Sequence, residues 1–326
     1  MDLPIVNSVD PSVAKKLMPS TISECASYLG DTAGKTCVSI NTVEKITIAT
    51  GIKEQDADST MKAVKEKLGC DTDRCALTKL SSVLGAGVAE NEIALRLKIK
   101  GPTDSKLLSN VNIDSVLQQW KLVFRDFYPY NFNMLNYASY AWVNGRIANH
   151  PDTLSGLLFI DLCRGAIDGT KYTHAACVIN SDTYQGAGKH WMALFADIRN
   201  PARWTVEFFN SSGNNPAPEW VSWLVKTKSQ METLADERGL KPEIEIIRAC
   251  NIRQQKSKSE CGLYSLFYIW ARLNKIAPEF FMENPVEDKI MFEFRQHLFE
   301  DPTRKRLEKF DWDEYSKTVN IKWEKN

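Results

Sequence analysis

Three side chains that lie far apart in the sequence, Cys261, His190 and Asn210, have the chemistry of a thiol nucleophile, its base and a group that orients the base. A cysteine attacks a carbonyl carbon well only as a thiolate, so it needs a neighbour that removes its proton. An imidazole does this near neutral pH, and an asparagine can hold the ring in some thiol enzymes. These residue types predict acyl transfer if the fold brings them together.

The segments that carry His190 and Asn210 are predicted to be the two strands of a β-hairpin around a turn at 199–202. Facing positions in such a hairpin have a constant sum of residue numbers, here roughly 400–402, so His190 faces Asn210 or a residue just beyond it. The rival partner, Asp197, lies an odd number of positions along the same strand and points to the opposite face. Asn210 is therefore the predicted partner of the imidazole.

Cys261 lies where a polar run, 254–260, gives way to an apolar run, 262–270. The apolar run predicts a buried helix that begins at Cys261, with Ser257 or Ser259 as its N-cap. The free amides and the dipole of a first helical turn favour an anion, so we expect a lowered pKa for this thiol.

Three neighbours of the predicted nucleophile have candidate roles of their own. The tetrahedral intermediate of acyl transfer needs hydrogen-bond donors at its oxyanion. The backbone amide of Cys261 is one candidate, and the side chain of Gln255, or alternatively of Gln254, is the second. Gly262 is expected to leave space for the substrate backbone beside the sulfur.

The remaining pattern predicts an α+β fold, with helices packed on a central sheet. The first hundred residues read as helical, with an interruption at Gly85 and Gly87, and the polar stretch 98–105 is the best linker candidate. The other predicted elements are helices at 61–68, 77–97, 112–120, 220–240 and 261–273, and strands at 175–179, 191–196, 204–209 and 244–247.

Composition narrows the class of protein. The 41 basic and 41 acidic residues cancel, so no overall field favours nucleic acid or an anionic membrane. No apolar run reaches the roughly 18–20 residues of a membrane span, and residues 1–4 do not resemble a secretory signal. We therefore expect a reducing compartment, with all eight cysteines, including the neighbours Cys70 and Cys75, as free thiols.

The order of these motifs resembles that of the ubiquitin-like-protein proteases and adenovirus-type proteases. It is most similar to the polyprotein-processing cysteine proteases of African swine fever virus and related large DNA viruses. The resemblance covers most of residues 20–300. The segments that carry it are 188–191, 208–214, 251–255 and 260–269, with further matches at 112–120 and 68–75.

This resemblance implies an endopeptidase that cuts viral structural polyproteins after Gly-Gly-Xaa sites during virion maturation, in the host cytoplasm at assembly sites and in the virion. It implies a helical N-terminal arm (1–104), a ubiquitin-like-protease-type core (105–299) and a C-terminal extension without an assigned role (300–326). No metal, cofactor, nucleic acid or membrane span is expected.

The resemblance also carries roles onto single residues of this chain. His190, Asn210 and Cys261 are the implied catalytic residues, and Gln255 is the implied oxyanion donor. Trp191 would form one wall of a narrow channel for glycine residues of the substrate, and Phe132 is the candidate for the opposite wall.

Other interpretations stay open. A lone His190 would more often be a surface or core histidine, and Cys261 a buried helix cysteine, so only the whole constellation favours catalysis. His174 and Cys177 are too few for a zinc site, which needs about four ligands, and we interpret them as strand residues. Alternative functions are deconjugation of ubiquitin-like modifiers, a catalytically silent binding scaffold in which the N-terminal arm holds a partner, and acetyl transfer through the thiol.

Overall fold

The structure, a computed structural model, describes residues 24–29, 35–102, 106–143, 146–148, 154 and 156–300 of the 326-residue chain. The predicted C-terminal extension therefore lies almost wholly outside the described residues. The N-terminal part consists of a 3-10 turn (Ser27–Leu29), helices α1 (Ile40–Thr50), α2 (Ala57–Leu68), α3 (Asp73–Leu80) and α4 (Val88–Arg96), and the short strand β1 (Ile99–Lys100).

Local sequence explains where these helices begin and end. Asp56 and Ser59 form a reciprocal capping box at the start of α2, and Gly69 ends that helix in the left-handed conformation, with φ of 62°. Gly85 and Gly87 also have positive φ, so the chain turns between α3 and α4 where the sequence predicted an interruption. The four helices enclose an apolar cluster of their own, which includes Ile46, Met61, Val64, Leu77 and Ala89.

The prediction that all the cysteines are free thiols is wrong for four of them. Cys25 is bonded to Cys37 and Cys70 to Cys75, all four within the N-terminal helical part. Cys25 and Cys37 come together because residue 25 bridges to Leu97 in the tertiary structure, a contact that spacing along the chain does not reveal. A small helical unit with a limited core is the setting in which such cross-links add most to stability.

The remaining elements form a five-stranded sheet and the helices around it. The strands of the sheet are β2 (Phe127–Pro129), β5 (His174–Asn180), β6 (Trp191–Asn200), β7 (Arg203–Phe209) and β8 (Glu243–Ala249). The hairpin β3 (Ala141–Val143) and β4 (Arg146–Ala148) and the strand β9 (Phe299–Glu300) lie outside it. The helices are α5 (Asn110–Lys121), α6 (Phe159–Arg164), α7 (Pro218–Glu237), α8 (Cys261–Leu273), α9 (Glu279–Glu283) and α10 (Asp288–Leu298).

The sheet is mixed, with strand order β2-β5-β6-β7-β8. The central strand β6 is antiparallel to both of its neighbours, β5 and β7, and each outer strand runs parallel to the strand beside it. The predicted strands and helices of this part are all present with somewhat different ends, which confirms the α+β fold. Within the described residues, no helix is both long and apolar enough to cross a bilayer.

Side chains of the central strand β6 alternate between two apolar layers. Trp191, Ala193 and Phe195 pack with α5, α8 and α10 on one face, whereas Met192 and Leu194 pack with α6 and α7 on the other. Because successive side chains of a strand point to opposite faces, both faces of this strand are buried. Helix α8 lies across the first face and is buried along its whole length.

The N-terminal part is attached to the rest of the chain through the predicted linker. Strand β1 pairs in parallel with β9, and the ammonium group of Lys98 donates to the Gln296 carbonyl at 2.9 Å. On the neighbouring helix α5, the Gln119 amide donates to the carbonyls of Ala94 and Leu97, both at 2.9 Å. The first part of the 98–105 stretch is thus a docked strand, and residues 103–105 lie outside the described part.

A buried ionic network joins β6, β7 and α8. The Arg272 guanidinium lies 2.9 Å from a Glu207 carboxylate oxygen, and neither side chain is exposed. Tyr268 donates to the same carboxylate at 2.6 Å, and Arg272 also lies 3.3 Å from Asp197. Burial alone would raise the pKa of the Asp197 carboxyl, but Arg199 and Arg272 together hold it well below its usual range. The Asp197 carboxylate is therefore bound within the core and lies away from His190.

We expect Arg272→Met to lower the free energy of unfolding by about 3–5 kcal/mol, because it leaves the Glu207 carboxylate buried without its cation. Urea denaturation followed by circular dichroism measures this change. Lys228→Ala is the control, since Lys228 pairs with Glu232 on the surface of α7 and such pairs contribute less than about 1 kcal/mol. Equal losses for both variants would contradict the assignment of Arg272 to the core.

Candidate active site

His190 and Asn210 meet at the open end of the β6–β7 hairpin. Ala193 pairs with Phe209 and Asp197 with Thr205, which gives a constant sum of 402, at the upper end of the predicted range. Continued to the strand end, this register places His190 opposite position 212, with Asn210 as its diagonal neighbour on the same face. His190 lies just before β6 and Asn210 just after β7. The imidazole Nε2 lies 2.8 Å from the Asn210 Oδ1, so the predicted contact is present.

The surroundings of Asn210 fix which nitrogen of the imidazole carries the proton. The Oδ1 of Asn210 also accepts from the Ser212 backbone N–H at 3.0 Å and from its hydroxyl at 2.8 Å, while the Nδ2 donates to the Asn214 carbonyl at 2.9 Å. The oxygen of the carboxamide must therefore face His190, and the neutral ring donates from Nε2. Its Nδ1 is then the unprotonated nitrogen that can accept a proton.

Cys261 is the first residue of α8, as predicted, but the predicted N-cap is wrong. Glu260 occupies the cap position and makes no side-chain capping bond. Ser257 is turned toward α10 instead, where its backbone N–H donates to Asp288 at 2.8 Å. Ser259 donates to the Glu260 carboxylate at 2.9 Å. Tertiary contacts of the polar run have therefore replaced local capping.

The thiol of Cys261 is enclosed, with 2% of the residue exposed. Burial raises the pKa of the Cys261 thiol, and this effect exceeds the opposing effect of the backbone N–H groups of Trp191, Gly262 and Cys261 itself. The expected lowering of this pKa is therefore wrong for the resting site. Trp191, the residue after His190, has its Cδ1 atom 3.3 Å from the Cβ position of Gly262, so the residue after Cys261 lies at the same end of β6 as the imidazole.

Burial acts on His190 in the opposite sense. It lowers the pKa of the imidazole because the charged ring loses solvent, while the hydrogen bond to Asn210 raises the pKa by a smaller amount. A raised thiol pKa beside a lowered imidazole pKa favours a neutral pair in the resting site.

The two glutamines predicted as oxyanion donors have different surroundings. Gln255 accepts from the Ser211 hydroxyl at 3.0 Å and donates to the Ser257 carbonyl at 2.9 Å, beside the Asn210 segment. Gln254 binds the Phe281 carbonyl at 2.8 Å and is 2% exposed, so it holds the loop after α9. The alternative assignment to Gln254 is therefore wrong, and Gln255 remains the candidate.

The aromatic rings of Trp191 and Phe132 are in edge-to-face contact near the thiol. Their ring centroids are 6.2 Å apart and the planes are nearly perpendicular. The Trp191 indole N–H donates to the Leu108 carbonyl at 3.1 Å, and the Phe132 backbone N–H donates to Asp114 of α5 at 2.9 Å. Burial raises the pKa of this Asp114 carboxyl to about 7. Hydrogen bonds to Leu108 and Asp114 thus fix the positions of the two aromatic residues.

Gly262 was expected to leave space for the substrate backbone, but other residues of the chain fill the space beside it. A Cβ atom at this position would lie 3.2 Å from Leu108 Cβ and 3.3 Å from Trp191 Cδ1. Glycine is required there because the segment before α5 packs directly against the first turn of α8. Leu108 itself is 2% exposed, and no pattern in the sequence indicates its contact with this helix.

A cavity of about 160 Å³ lies on the outer side of Trp191. Phe132, Met134 and Tyr184 supply apolar walls, and the backbone of 186–188 forms its rim. Asn110 and Asn180 contribute polar groups. The cavity is continuous with the aromatic pair and is of a size to hold part of an extended peptide.

Cys163, Cys177 and His174 are buried in the core of the described part of the chain. Cys163 and Cys177 are buried thiols, and burial raises the pKa of Cys163 to about 12. His174 lies in β5 as predicted, and burial lowers its pKa to about 4. In the described part of the chain, Glu24, Cys37 and Asp73 are close enough to suggest a metal site, but the Cys37 sulfur is in a disulfide.

An imidazole held by a carboxamide, beside a thiol at the start of a central buried helix, is the arrangement of a cysteine protease. The comparisons with known proteins agree. The family described as the Ulp1 protease family, C-terminal catalytic domain, matches residues 173–315. A cysteine protease of African swine fever virus (isolate Tick/Malawi/Lil 20-1/1983) is 30% identical over 296 residues, which cover 88% of this chain and 98% of the relative.

Two further relatives give the same result. The protein named as a SUMO-1 cysteine protease of African swine fever virus (isolate Warthog/Namibia/Wart80/1980) is also 30% identical over 296 residues, with the same coverage of both chains. The crystal structure of a selenomethionine form of the African swine fever virus protease superposes with a TM-score of 0.60 at 27% identity, covering 88% of this chain and 98% of that one. The chain therefore belongs to the Ulp1 family of cysteine proteases, in the group that includes these African swine fever virus enzymes.

Two substitutions of Asn210 should move the pKa of His190 in opposite directions. Asn210→Ala removes the bond that stabilises the charged ring, so the pKa of His190 falls. Asn210→Asp places a carboxylate against Nε2, so the pKa rises. NMR titration of the His190 ring measures both. A shift of the His190 pKa in the same direction in both variants would mean that residue 210 does not act on this ring.

Proposed function

We propose that this chain is an endopeptidase that cleaves viral structural polyproteins after Gly-Gly-Xaa sites during virion maturation, through a Cys261-His190-Asn210 triad. The observation that carries the proposal is the 2.8 Å hydrogen bond between the His190 ring and Asn210, at the end of β6 where Trp191 packs against the residue after Cys261. A ring protonated at Nε2 has its basic nitrogen free for the thiol.

The reaction begins when His190 Nδ1 takes the thiol proton as the sulfur of Cys261 attacks the substrate carbonyl. The new S–C bond converts the carbonyl into an oxyanion, and the imidazolium then returns the proton to the leaving amine as the C–N bond breaks. Water, deprotonated by the same imidazole, hydrolyses the thioester and releases the acid. Asn210 keeps the ring in one tautomer and orientation throughout the cycle.

Gln255 and the backbone amide of Cys261 are assigned to the oxyanion. One N–H of the Gln255 carboxamide donates to the Ser257 carbonyl, and its oxygen is held by Ser211. A carboxamide has two N–H donors, so the second is the one assigned to the developing negative charge. The two fixed bonds place this donor before substrate arrives, which is what makes such a group effective.

A preference for glycine follows from the walls of the site. Trp191 and Phe132 stand 6.2 Å apart between ring centroids, and both are at least nine-tenths buried. At this separation the two rings touch edge to face and leave no gap between them. A substrate residue therefore lies along the wall that the pair forms with the adjoining cavity, and glycine comes closest to this wall because it has no Cβ. The hydrogen bonds to Leu108 and Asp114 hold the wall in place.

The biological setting is proposed from the relatives, which are viral cysteine proteases. It includes action in the host cytoplasm at assembly sites and in the virion. We also propose the division into an arm (1–104), a protease core (105–299) and an extension (300–326). The separate apolar cluster of α1 to α4 supports the first boundary.

A second candidate is removal of ubiquitin-like modifiers. It is supported by the match to the Ulp1 family and by the name of one relative, a SUMO-1 cysteine protease. Both functions would use the same thiol and the same glycine channel, so only the substrate distinguishes them.

Cys261→Ala should abolish cleavage of a peptide that contains a Gly-Gly-Xaa site, because it removes the sulfur that attacks the carbonyl. Mass spectrometry of the products measures cleavage, and circular dichroism checks that the variant is folded. The matched control is Cys163→Ala, which removes a buried thiol outside the site. Retained cleavage by the Cys261 variant would disprove the mechanism.

The same assay should separate the two substrate classes and test the channel. We expect the wild-type protein to cleave a Gly-Gly-Xaa peptide from a viral structural polyprotein faster than a SUMO conjugate. Changing the second glycine to alanine should reduce kcat/KM by at least about tenfold, since a methyl group must then fit against the wall formed by Trp191 and Phe132. Faster cleavage of the conjugate would favour the second candidate.

Gln255→Ala should lower kcat by about 10²–10³-fold if its amide binds the oxyanion, with a smaller change in KM. Steady-state kinetics on the same peptide measure the effect. Gln254→Ala is the neighbouring control: it removes a loop contact, so we expect a lower Tm with kcat near the wild-type value. An unchanged kcat for the Gln255 variant would remove it from the site.

A further inference from the structure

A buried arginine joins the residue before the nucleophile to the segment that leads from the N-terminal helices. The Arg295 side chain, on α10, is 7% exposed and lies 2.7 Å from a Glu260 carboxylate oxygen. The same guanidinium nitrogen donates to the Lys106 carbonyl at 2.9 Å, and a second one donates to the Pro102 carbonyl at 3.4 Å. One cation thus holds two otherwise separate parts of the chain.

Glu260 has a position that makes its charge important. It precedes Cys261, its side chain is fully buried, and it carries no capping bond to the helix that it begins. Its carboxylate is bound by Arg295 on one oxygen and by the Ser259 hydroxyl on the other. A buried carboxylate needs such partners, since the loss of solvent around an unpaired charge costs several kcal/mol.

The second part of the chain held by Arg295 continues into the wall of the site. Two residues after Lys106, the Leu108 carbonyl accepts the Trp191 indole N–H at 3.1 Å. The Leu108 side chain packs against Gly262, next to the nucleophile. Arg295 therefore supports both the start of α8 and the residue that orients the Trp191 ring.

We propose that Arg295 and Glu260 form a positioning pair for the peptidase reaction: Arg295 neutralises the carboxylate beside the thiol and fixes the segment that holds Trp191. This proposal rests on the proposed function for its kinetic part. Neither residue is assigned to contact substrate. The pair acts through Cys261 and Trp191, which are the residues that do.

The electrostatic part follows from the sign of each charge. Burial raises the pKa of the Cys261 thiol, and Glu260 adds to this rise because a negative neighbour disfavours the thiolate. The cation of Arg295 reduces the contribution of Glu260. Among the titratable groups on the elements packed around the thiol, His190 lies at the start of β6, Asp114 lies behind Phe132 on α5, and Asp288 at the start of α10 accepts from Tyr264 of α8. Asp197 of β6, Glu207 of β7 and Arg272 of α8 are paired with one another in the buried ionic network.

The test is the pH dependence of Cys261 alkylation by iodoacetamide, measured by mass spectrometry of the peptide that contains this residue. Relative to wild type, Arg295→Met should raise the midpoint pH by about one unit or more, because Glu260 is then unpaired. Glu260→Gln should lower the midpoint. The double variant should behave like Glu260→Gln, since Arg295 has no carboxylate left to neutralise.

Peptide kinetics test the second role of Arg295. Arg295→Met should lower kcat/KM for a Gly-Gly-Xaa peptide by at least about tenfold, and Arg295→Lys should recover part of it by restoring the charge. Arg203→Met is the matched control, because it removes an arginine bound to Glu245 and Glu279 at the other end of the sheet. We expect the control to alter neither the alkylation midpoint nor kcat/KM.

An alkylation midpoint in Glu260→Gln equal to that of wild type would overturn the proposal, as would equal effects of the Arg295→Met and Arg203→Met variants. If Arg295→Met does not fold, as judged by circular dichroism, the nearly isosteric Glu260→Gln variant decides alone. Alkylation does not depend on peptide cleavage. A wild-type protein that cleaves no peptide but shows the predicted midpoint shifts would therefore reject the proposed function and keep the pairing.

Discussion

The pairing register of β6 and β7 is the constraint on which the site depends. Because side chains alternate along a strand, a slip by one residue would send His190 or Asn210 to the opposite face and separate them. Apolar packing on both faces of the hairpin holds the register. Buried side chains such as Trp191 and Phe195 fill one layer and Leu194 the other, so a slip would exchange apolar layers along the whole hairpin. The hydrogen bond between imidazole and carboxamide is a result of this packing and adds little to it.

The site combines an enclosed thiol with a base that is neutral at rest. Enclosure excludes water from the thioester-forming step, but it also works against the thiolate. The chain offsets part of this effect with backbone N–H groups at the start of α8 and at Trp191, which point at the sulfur without needing a charge. Fixed amides of this kind need no rearrangement during the reaction. The edge-to-face pair of Trp191 and Phe132 is part of the same enclosure.

Local patterns predicted most of the fold, and long-range contacts account for what was missed. The strands and α8 follow from apolar runs, and the His190–Asn210 contact follows from counting through a hairpin, which is a local calculation. Three contacts join residues that no pattern in the sequence connects. They are the disulfide between Cys25 and Cys37, the packing of Leu108 against helix α8, and the hydrogen bond from Ser257 to the start of α10. The raised thiol pKa was missed for a related reason, since the depth of burial depends on elements packed from elsewhere.

The parallel pairing of β1 with β9 has a consequence for synthesis. Ile99 is opposite Phe299, so the pair joins the strand that follows the N-terminal helices to the strand that follows α10. A ribosome that has made those helices must add every strand of the central sheet before Phe299 leaves the exit tunnel. The helical unit has an apolar interior of its own and can form early, but this attachment waits for β9. Docking of the two parts is therefore a late event in folding, well after the N-terminal helices have emerged.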